Sequence, residues 1–166
     1  MKNREKAKSV IFIVLSILIG ISGCSKNTKK DETNVPNSPS IEENTLGDSD
    51  SGKALGLKTI HFLFDSDLLD TEAKSELKSN SQILSQKPTA KIQIEGHCDQ
   101  RGGVQYNIAL GERRANSVKH YLTDLGISSE RITTISYGKE RPLDRAESEK
   151  AYAKNRRANF VITSRN

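Results

Sequence analysis

The stretch that most constrains this chain is residues 94–116, IEGHCDQRGGVQYNIALGERRAN. An apolar, β-rich start gives way to a polar segment broken by Gly102-Gly103, then to a long run with apolar residues at helical spacing. That order predicts a buried strand, a sharp loop and a helix, with the loop at the carboxyl end of the strand, where α/β sheets place their ligands. The two glycines let the backbone turn tightly and come close to whatever binds. Advancing 100° per residue puts Asn107, Leu110, Arg114, Val118 and Tyr121 within an arc of about 80°. Arg114 therefore belongs at the border of the buried face, and Arg113 points closer to solvent. Asp99 in the loop and Arg114 on the helix can present one anion and one cation together, a pairing suited to a small zwitterion. Simpler roles stay open. Arg114 can bond loop carbonyls or a carboxylate such as Asp65 or Asp99. Asp99 can orient its own loop, and Asp65 can cap the helix that follows it.

The flanking segments alternate in the same way. Thr59–Phe64 reads as a strand ended by Asp65-Ser66-Asp67, and 71–86 as a helix capped by Asp70 or Thr71 and stopped before Pro88. Ala90–Glu95 is a second strand, with Ile92 and Ile94 on one side. Asn107–Leu125 is the second long helix, closed by Gly126 as a left-handed cap. Ile132–Tyr137, Glu147–Lys154 and Arg157–Thr163 read as strand, short helix and strand. The fold class this predicts is α+β: a two-layer α/β sandwich, a small mixed β-sheet with helices packed on one face. Phe62, Phe64, Ile92, Ile94, Val118, Leu122, Ile132 and Val161 are the expected core, and roughly 110 residues suffice for it to fold without staples.

The N-terminus carries a second, independent signal. A basic start, MKNREKAK, precedes the apolar block VIFIVLSILIGI and then Ser22-Gly23-Cys24. Basic residues, a short apolar core and small residues at its exit describe a signal peptide over residues 1–23. The block is short of the roughly 20 apolar residues that a membrane span needs; an uncleaved anchor is the alternative. Ile21-Ser22-Gly23-Cys24 resembles the bacterial lipoprotein signal, which makes Cys24 the expected lipidation site and first mature residue. Ser25 at the next position is compatible with export to the outer membrane. Residues 25–54 are polar, with scarcely a large apolar side chain, and cannot bury enough surface to offset ordering entropy. Residues 24–56 are therefore expected to be the lipidated Cys and a disordered tether, which extended would reach roughly 100 Å, and residues 57–166 the domain.

Several functions are disfavoured. The formal net charge of +5 falls to +2 beyond residue 23, because Lys2, Arg4, Lys6 and Lys8 face only Glu5 before it. That is too mild for a nucleic-acid-binding face. His97, Cys98 and Asp99 alternate in direction along an extended chain and cannot converge on one ion. No zinc spacing accompanies them. Cys98 has no second thiol past Cys24 and no positioned base. GGVQYN matches neither phosphate-cradling glycine pattern. No metal, cofactor or catalytic residue is expected, and the chain reads as a non-enzyme.

The strings FLFDSDLLD, IQIEGHCDQRG, YNIALGERRANSVKHYL, ISYGKERP and AYAKNRRANFVI closely resemble the OmpA-like peptidoglycan-binding domain over about residues 58–163. With the lipoprotein start and tether, the resemblance is to the lipoprotein branch of that family, which works in the Tol–Pal system. It implies an outer-membrane lipoprotein with its domain in the periplasm, holding peptidoglycan through the diaminopimelate of the stem peptide. It also implies a TolB-like periplasmic partner and a role in envelope integrity and cell division. By motif position, Asp99 would take the ligand ammonium and Arg114 its carboxylate. Asn107, Leu110, Phe64 and Asp65 match further pocket positions. Asn155-Arg156-Arg157 would brace the last strand or the pocket rim. Cys98 departs from the family, which usually has Ala or Thr there. The alternatives are a wall-binding lipoprotein of the same fold outside the Tol system, in a motor or secretion assembly, or an enzyme acting on peptidoglycan.

Overall fold

The structure, a computed structural model, describes residues 46–165. The expected signal peptide, Cys24 and most of the tether lie outside them. Four strands and three α-helices follow in the order β1 (Ile60–His61), α1 (Thr71–Ser85), β2 (Lys91–His97), α2 (Val104–Asp124), a 3-10 turn (Ser129–Arg131), β3 (Ile132–Gly138), α3 (Glu149–Asn155) and β4 (Arg157–Ser164). The sheet order is β1-β4-β2-β3. β2 and β3 run parallel, and β4 is antiparallel to both β1 and β2. This is the mixed sheet and α+β layering that the alternation of segments predicts.

Period-2 patterning sorts the sheet's two faces. Ile92 and Ile94 of β2, and Ala158, Phe160 and Ile162 of β4, are buried with Leu77 and Leu84 of α1 and Val118 and Leu122 of α2 in one apolar cluster. Asp70 caps α1, its side chain accepting from the Ala73 amide at 2.8 Å. At Gly111, α2 meets the sheet with no side chain between them: a Cβ added to Gly96 of β2 would lie 1.9 Å from the Gly111 carbonyl oxygen. One added to Gly111 would lie 2.4 Å from Ser136 Oγ of β3. Helix axis and sheet therefore come close enough for the Ser136 hydroxyl to donate to the Ile108 carbonyl at 2.7 Å.

Three expectations need correction. The strand expected over Thr59–Phe64 is only Ile60–His61. Beyond it the carbonyls are claimed by arginines rather than by a neighbouring strand. Arg156 Nε donates to Phe62 O at 3.0 Å, and Arg114 donates to Leu63 O at 3.1 Å and Ser66 O at 2.8 Å. Phe64, expected in the core, consequently turns outward and is 59 % exposed. Val161 is buried, but outside the main apolar cluster.

The third correction concerns the boundary at residue 56. Residues 46–56, expected in the tether, are packed onto the domain. Leu46 N donates to Ile162 O, Ile162 N to Gly47 O and Ser49 N to Phe160 O, each at 2.9 Å, so this segment pairs with the far half of β4. Asp50 takes Arg157 Nε at 2.7 Å, and Ala54 is fully buried. Composition hides this because the segment is held by backbone ladder bonds and polar side chains, with Ala54 and Leu57 as its small apolar anchor.

The glycine contact yields a stability test. Gly96→Ala is expected to cost about 3 kcal/mol, or to prevent folding, because the clash is with backbone. Gly103→Ser, at a helix N-cap with open space around it, should stay within about 0.5 kcal/mol of wild type or exceed it. Urea denaturation of both variants checks the pair.

Candidate functional site

α2 begins at Val104, three residues before Asn107, with Gly103 as its N-cap. Gly102 has φ +83°, a left-handed conformation that glycine adopts without strain. This turn folds the loop after β2 over the start of α2. Asn107 fixes it, its side-chain amide donating to Arg101 O at 2.8 Å and Gly103 O at 3.1 Å. Lys139, in the loop after β3, closes the other side by donating to Gly102 O at 2.8 Å.

The result is a cleft of ≈ 150 Å³ at the carboxyl end of β2. Phe64, Asp65, Asp99, Asn107, Leu110 and Arg114, the six residues singled out from sequence, all line it. Leu110 is buried at its floor and Phe64 is exposed at its rim. Asp65 has φ +53° and accepts a hydrogen bond from the Tyr106 hydroxyl.

Arg114 is 1 % exposed and sits over the Phe62 ring at 5.1 Å. Its guanidinium donates through Nε to Ser66 O, through Nη1 to His97 O and through Nη2 to Leu63 O. Of the open alternatives, carbonyl bonding is therefore what the structure shows; neither Asp65 nor Asp99 is its hydrogen-bond partner. Arg114 ties the loop after β1 to the end of β2 and thereby sets where Phe64 and Asp65 stand. A guanidinium has more N–H groups than these three bonds use, in a planar fork that fits a carboxylate.

Asp99 is 4 % exposed. Burial alone would push its carboxyl up, but hydrogen bonds from Arg101 and Arg156 more than reverse this and hold it below the usual range. Arg101 spans both oxygens, Nη2 to Oδ2 at 2.6 Å and Nε to Oδ1 at 3.2 Å. Arg156 Nη1 reaches Oδ2 at 3.2 Å. Both arginines continue to Glu149 at the start of α3, at 3.3 Å and 2.9 Å, closing a ring of alternating charge.

Arg101 and Tyr106 are cleft residues to which the sequence reading gives no role. Arg101 was visible inside the QRGG string, but nothing in the spacing shows that it folds back on Asp99. The Asn155-Arg156-Arg157 string divides its labour between the two roles offered for it. Arg156 is at the cleft, Arg157 braces β4 against Asp50, and Asn155 Oδ1 accepts from the amides of Leu143 and Asp144 at 2.8 and 3.1 Å.

His97 and Cys98 do point to opposite sides. Cys98 lines the cleft and its thiol donates to Asn107 O at 3.3 Å. Burial pushes that thiol up, so it stays protonated and a poor nucleophile. His97 is on the other face, stacked on Tyr137 with centroids 5.6 Å apart and with Nε2 3.5 Å from Glu95 Oε2. Its burial lowers the imidazole pKa and favours the neutral ring. Among the described residues, no group of three or more His, Cys, Asp or Glu could hold a metal ion.

The pH dependence follows from Asp99. Its folded pKa is depressed, so its contribution to stability is present above the ordinary aspartate pKa of about 3.9 and is lost as pH falls through the lower folded value. Asp99→Asn should therefore lower the urea midpoint at pH 7, and the gap from wild type should shrink as pH falls below about 4. Denaturation curves from pH 3 to 7 check it.

A profile of the OmpA family matches residues 61–156, the span that holds every cleft residue named above. A peptidoglycan-associated lipoprotein of Brucella melitensis is 35% identical over 161 residues, 94% of this chain and 93% of its own length. A peptidoglycan-associated lipoprotein of Pasteurella multocida is 43% identical over 100 residues, 60% of this chain and 67% of its own. The crystal structure of the peptidoglycan-associated lipoprotein from Burkholderia pseudomallei superposes with a TM-score of 0.62 at 33% identity, covering 68% of this chain and 97% of that one. The chain belongs to the OmpA family, among its peptidoglycan-associated lipoproteins.

Proposed function

We propose that this domain binds peptidoglycan non-covalently by taking the free end of diaminopimelate into the cleft, Asp99 receiving the ammonium and Arg114 the carboxylate. The observation that carries the reading is a buried aspartate, bonded by Arg101 and Arg156, lining a cleft of ≈ 150 Å³ with the buried Arg114 in the same lining. That volume suits one amino-acid side chain and is too small for a glycan strand. Charge-assisted hydrogen bonds to both ends of a zwitterion are the strong kind. Asn107 and Leu110 shape the floor, and Phe64 and Asp65 form the rim.

The reading is of a binder and not of a catalyst. Asp99 is neutralised by two arginines, Asp65 is engaged by Tyr106, and the Cys98 thiol is held protonated. Neither Asp99 nor the Cys98 thiol is poised to exchange a proton near neutral pH. With acyl chains on Cys24, such a domain would tie the outer membrane to the wall from the periplasmic side, in a Tol–Pal-like system with a TolB-like partner and a role in division. Single grips of this kind are weak, and many copies on one surface raise their effective strength.

Two experiments test this. Residues 41–166 are sedimented with diaminopimelate-type sacculi, intact or with their free amines acetylated. Wild type is expected to pellet with intact sacculi and stay soluble with acetylated ones, and folded Asp99→Asn to stay soluble with both. Wild type that fails to pellet with intact sacculi refutes the reading. For the anchor, palmitate label should enter the full chain in a Gram-negative host and be lost in Cys24→Ala.

A further inference from the structure

Asp99 presents a difficulty as it stands. Its side chain is only 5% exposed, and Arg101 already lies across both of its oxygens at 2.6 and 3.2 Å. A ligand cation cannot reach that carboxylate while Arg101 stays. Leaving a buried carboxylate short of a partner is unfavourable, so a ligand cation would take the place of Arg101 while Arg156 stays on Asp99.

The surroundings of Arg101 are built for such an exchange. Of the two arginines on Asp99, Arg156 is buried and pinned, with Nε on Phe62 O at 3.0 Å and Nη1 on Glu149 at 2.9 Å. Arg101 is the looser one, its side chain 36% exposed. Its Nη1 already touches Glu149 at 3.3 Å, and Glu149 is 65% exposed. Its guanidinium sits over the Phe64 ring at 4.0 Å and the Tyr152 ring at 4.6 Å. Those two aromatic faces would hold the cation whichever carboxylate it favours.

We propose that Arg101 is a displaceable counter-ion: it occupies Asp99 in the free domain and yields to the ligand's ammonium, with Glu149 retaining it once displaced. The proposal rests on the peptidoglycan reading and adds to it a residue that sets both affinity and selectivity. The buried carboxylate keeps Arg156 throughout and carries a second cation before and after the exchange. Arg156 is the fixed one and the second is exchanged. A neutral amide or acetylated amine cannot replace a guanidinium, so the occupied state rejects uncharged peptides. Arg101 also lowers affinity for the right ligand, because only the fraction of molecules with Asp99 vacated is competent.

The experiment is an equilibrium titration of the full chain in detergent with the tripeptide N-acetyl-L-alanyl-γ-D-glutamyl-meso-diaminopimelate, beside the same peptide acetylated also on the free amine of its diaminopimelate. Arg101→Gln is expected to bind the free-amine peptide about tenfold more tightly than wild type, the gain from removing a competitor that fills the site most of the time. Glu149→Gln is expected to bind it several-fold more weakly, since Arg101 loses its alternative partner. Glu149→Gln in an Arg101→Gln background should bind like Arg101→Gln alone; a merely structural role for Glu149 would persist there. Weaker binding by folded Arg101→Gln overturns the exchange and makes Arg101 a direct ligand contact. Unchanged binding by Glu149→Gln also overturns it. Wild type that ignores the free-amine peptide, or binds both peptides equally, defeats the peptidoglycan reading and the exchange together, an outcome distinct from the first two.

Discussion

Everything about this cleft depends on how closely α2 lies against β2. At Gly96 and Gly111 backbone meets backbone, with room for no Cβ on either side. Contact at that distance fixes the helix in both translation and rotation, because dense packing leaves few alternative arrangements. The rotation decides that Arg114, one turn beyond Gly111, is driven to the carboxyl end of β2, where it bonds His97 O, while Arg113 is left outside. The translation decides that Asn107 lies beneath the loop after β2, near enough to bond Arg101 O and Gly103 O. A helix one side-chain layer further out would leave Asp99 and Arg114 in separate places.

A second organising principle is the use of arginines as backbone acceptors' partners. Buried carbonyls need donors, and the loop after β1 offers Phe62, Leu63 and Ser66 to no strand. Arg156 and Arg114 supply those donors from two different elements. The loop is thereby nearly as determined as a strand, although its dihedrals are irregular and Asp65 adopts a positive φ. A rigid rim on an irregular loop is what a small binding site requires. Arg131 does the same work at the far end, donating to Ala90, Leu84 and Lys87 carbonyls between α1 and β2.

How much of this could be read from the sequence varies with the physics involved. The sandwich, the long helices and the shared face of Asn107, Leu110 and Arg114 were legible because periodicity reports burial directly. Asp99 and Arg114 were legible as neighbours because strand, glycine turn and helix leave the chain few ways to close, whereas Phe64 and Asp65 were expected in a pocket only from the family resemblance. Phe64 was misread as core because an apolar run looks the same whether it continues a strand or turns out of it. Only the arginine bonds to Phe62 O and Leu63 O show where the strand stops, and these come from residues 51 and 94 positions away. Residues 46–56 were misread because ladder bonds and the Asp50–Arg157 pair leave no trace in composition. The Asp99–Arg101–Glu149–Arg156 ring was beyond reach for the same reason: its members come from three parts of the chain.

The pairing of residues 46–49 with β4 also has a mechanical meaning. β4 begins at the cleft, next to Arg156, and runs away from it; Leu46 pairs with Ile162 near its distant end. A pull between an occupied cleft and the chain before Leu46 is thus directed along the strand axis. The bonds from Leu46, Ser49 and Ile162 then share the tension in shear instead of opening one after another, and the Asp50–Arg157 clip stands behind them. The domain can resist a tug along that line better than its short first strand suggests, while the same segment would peel readily if drawn sideways.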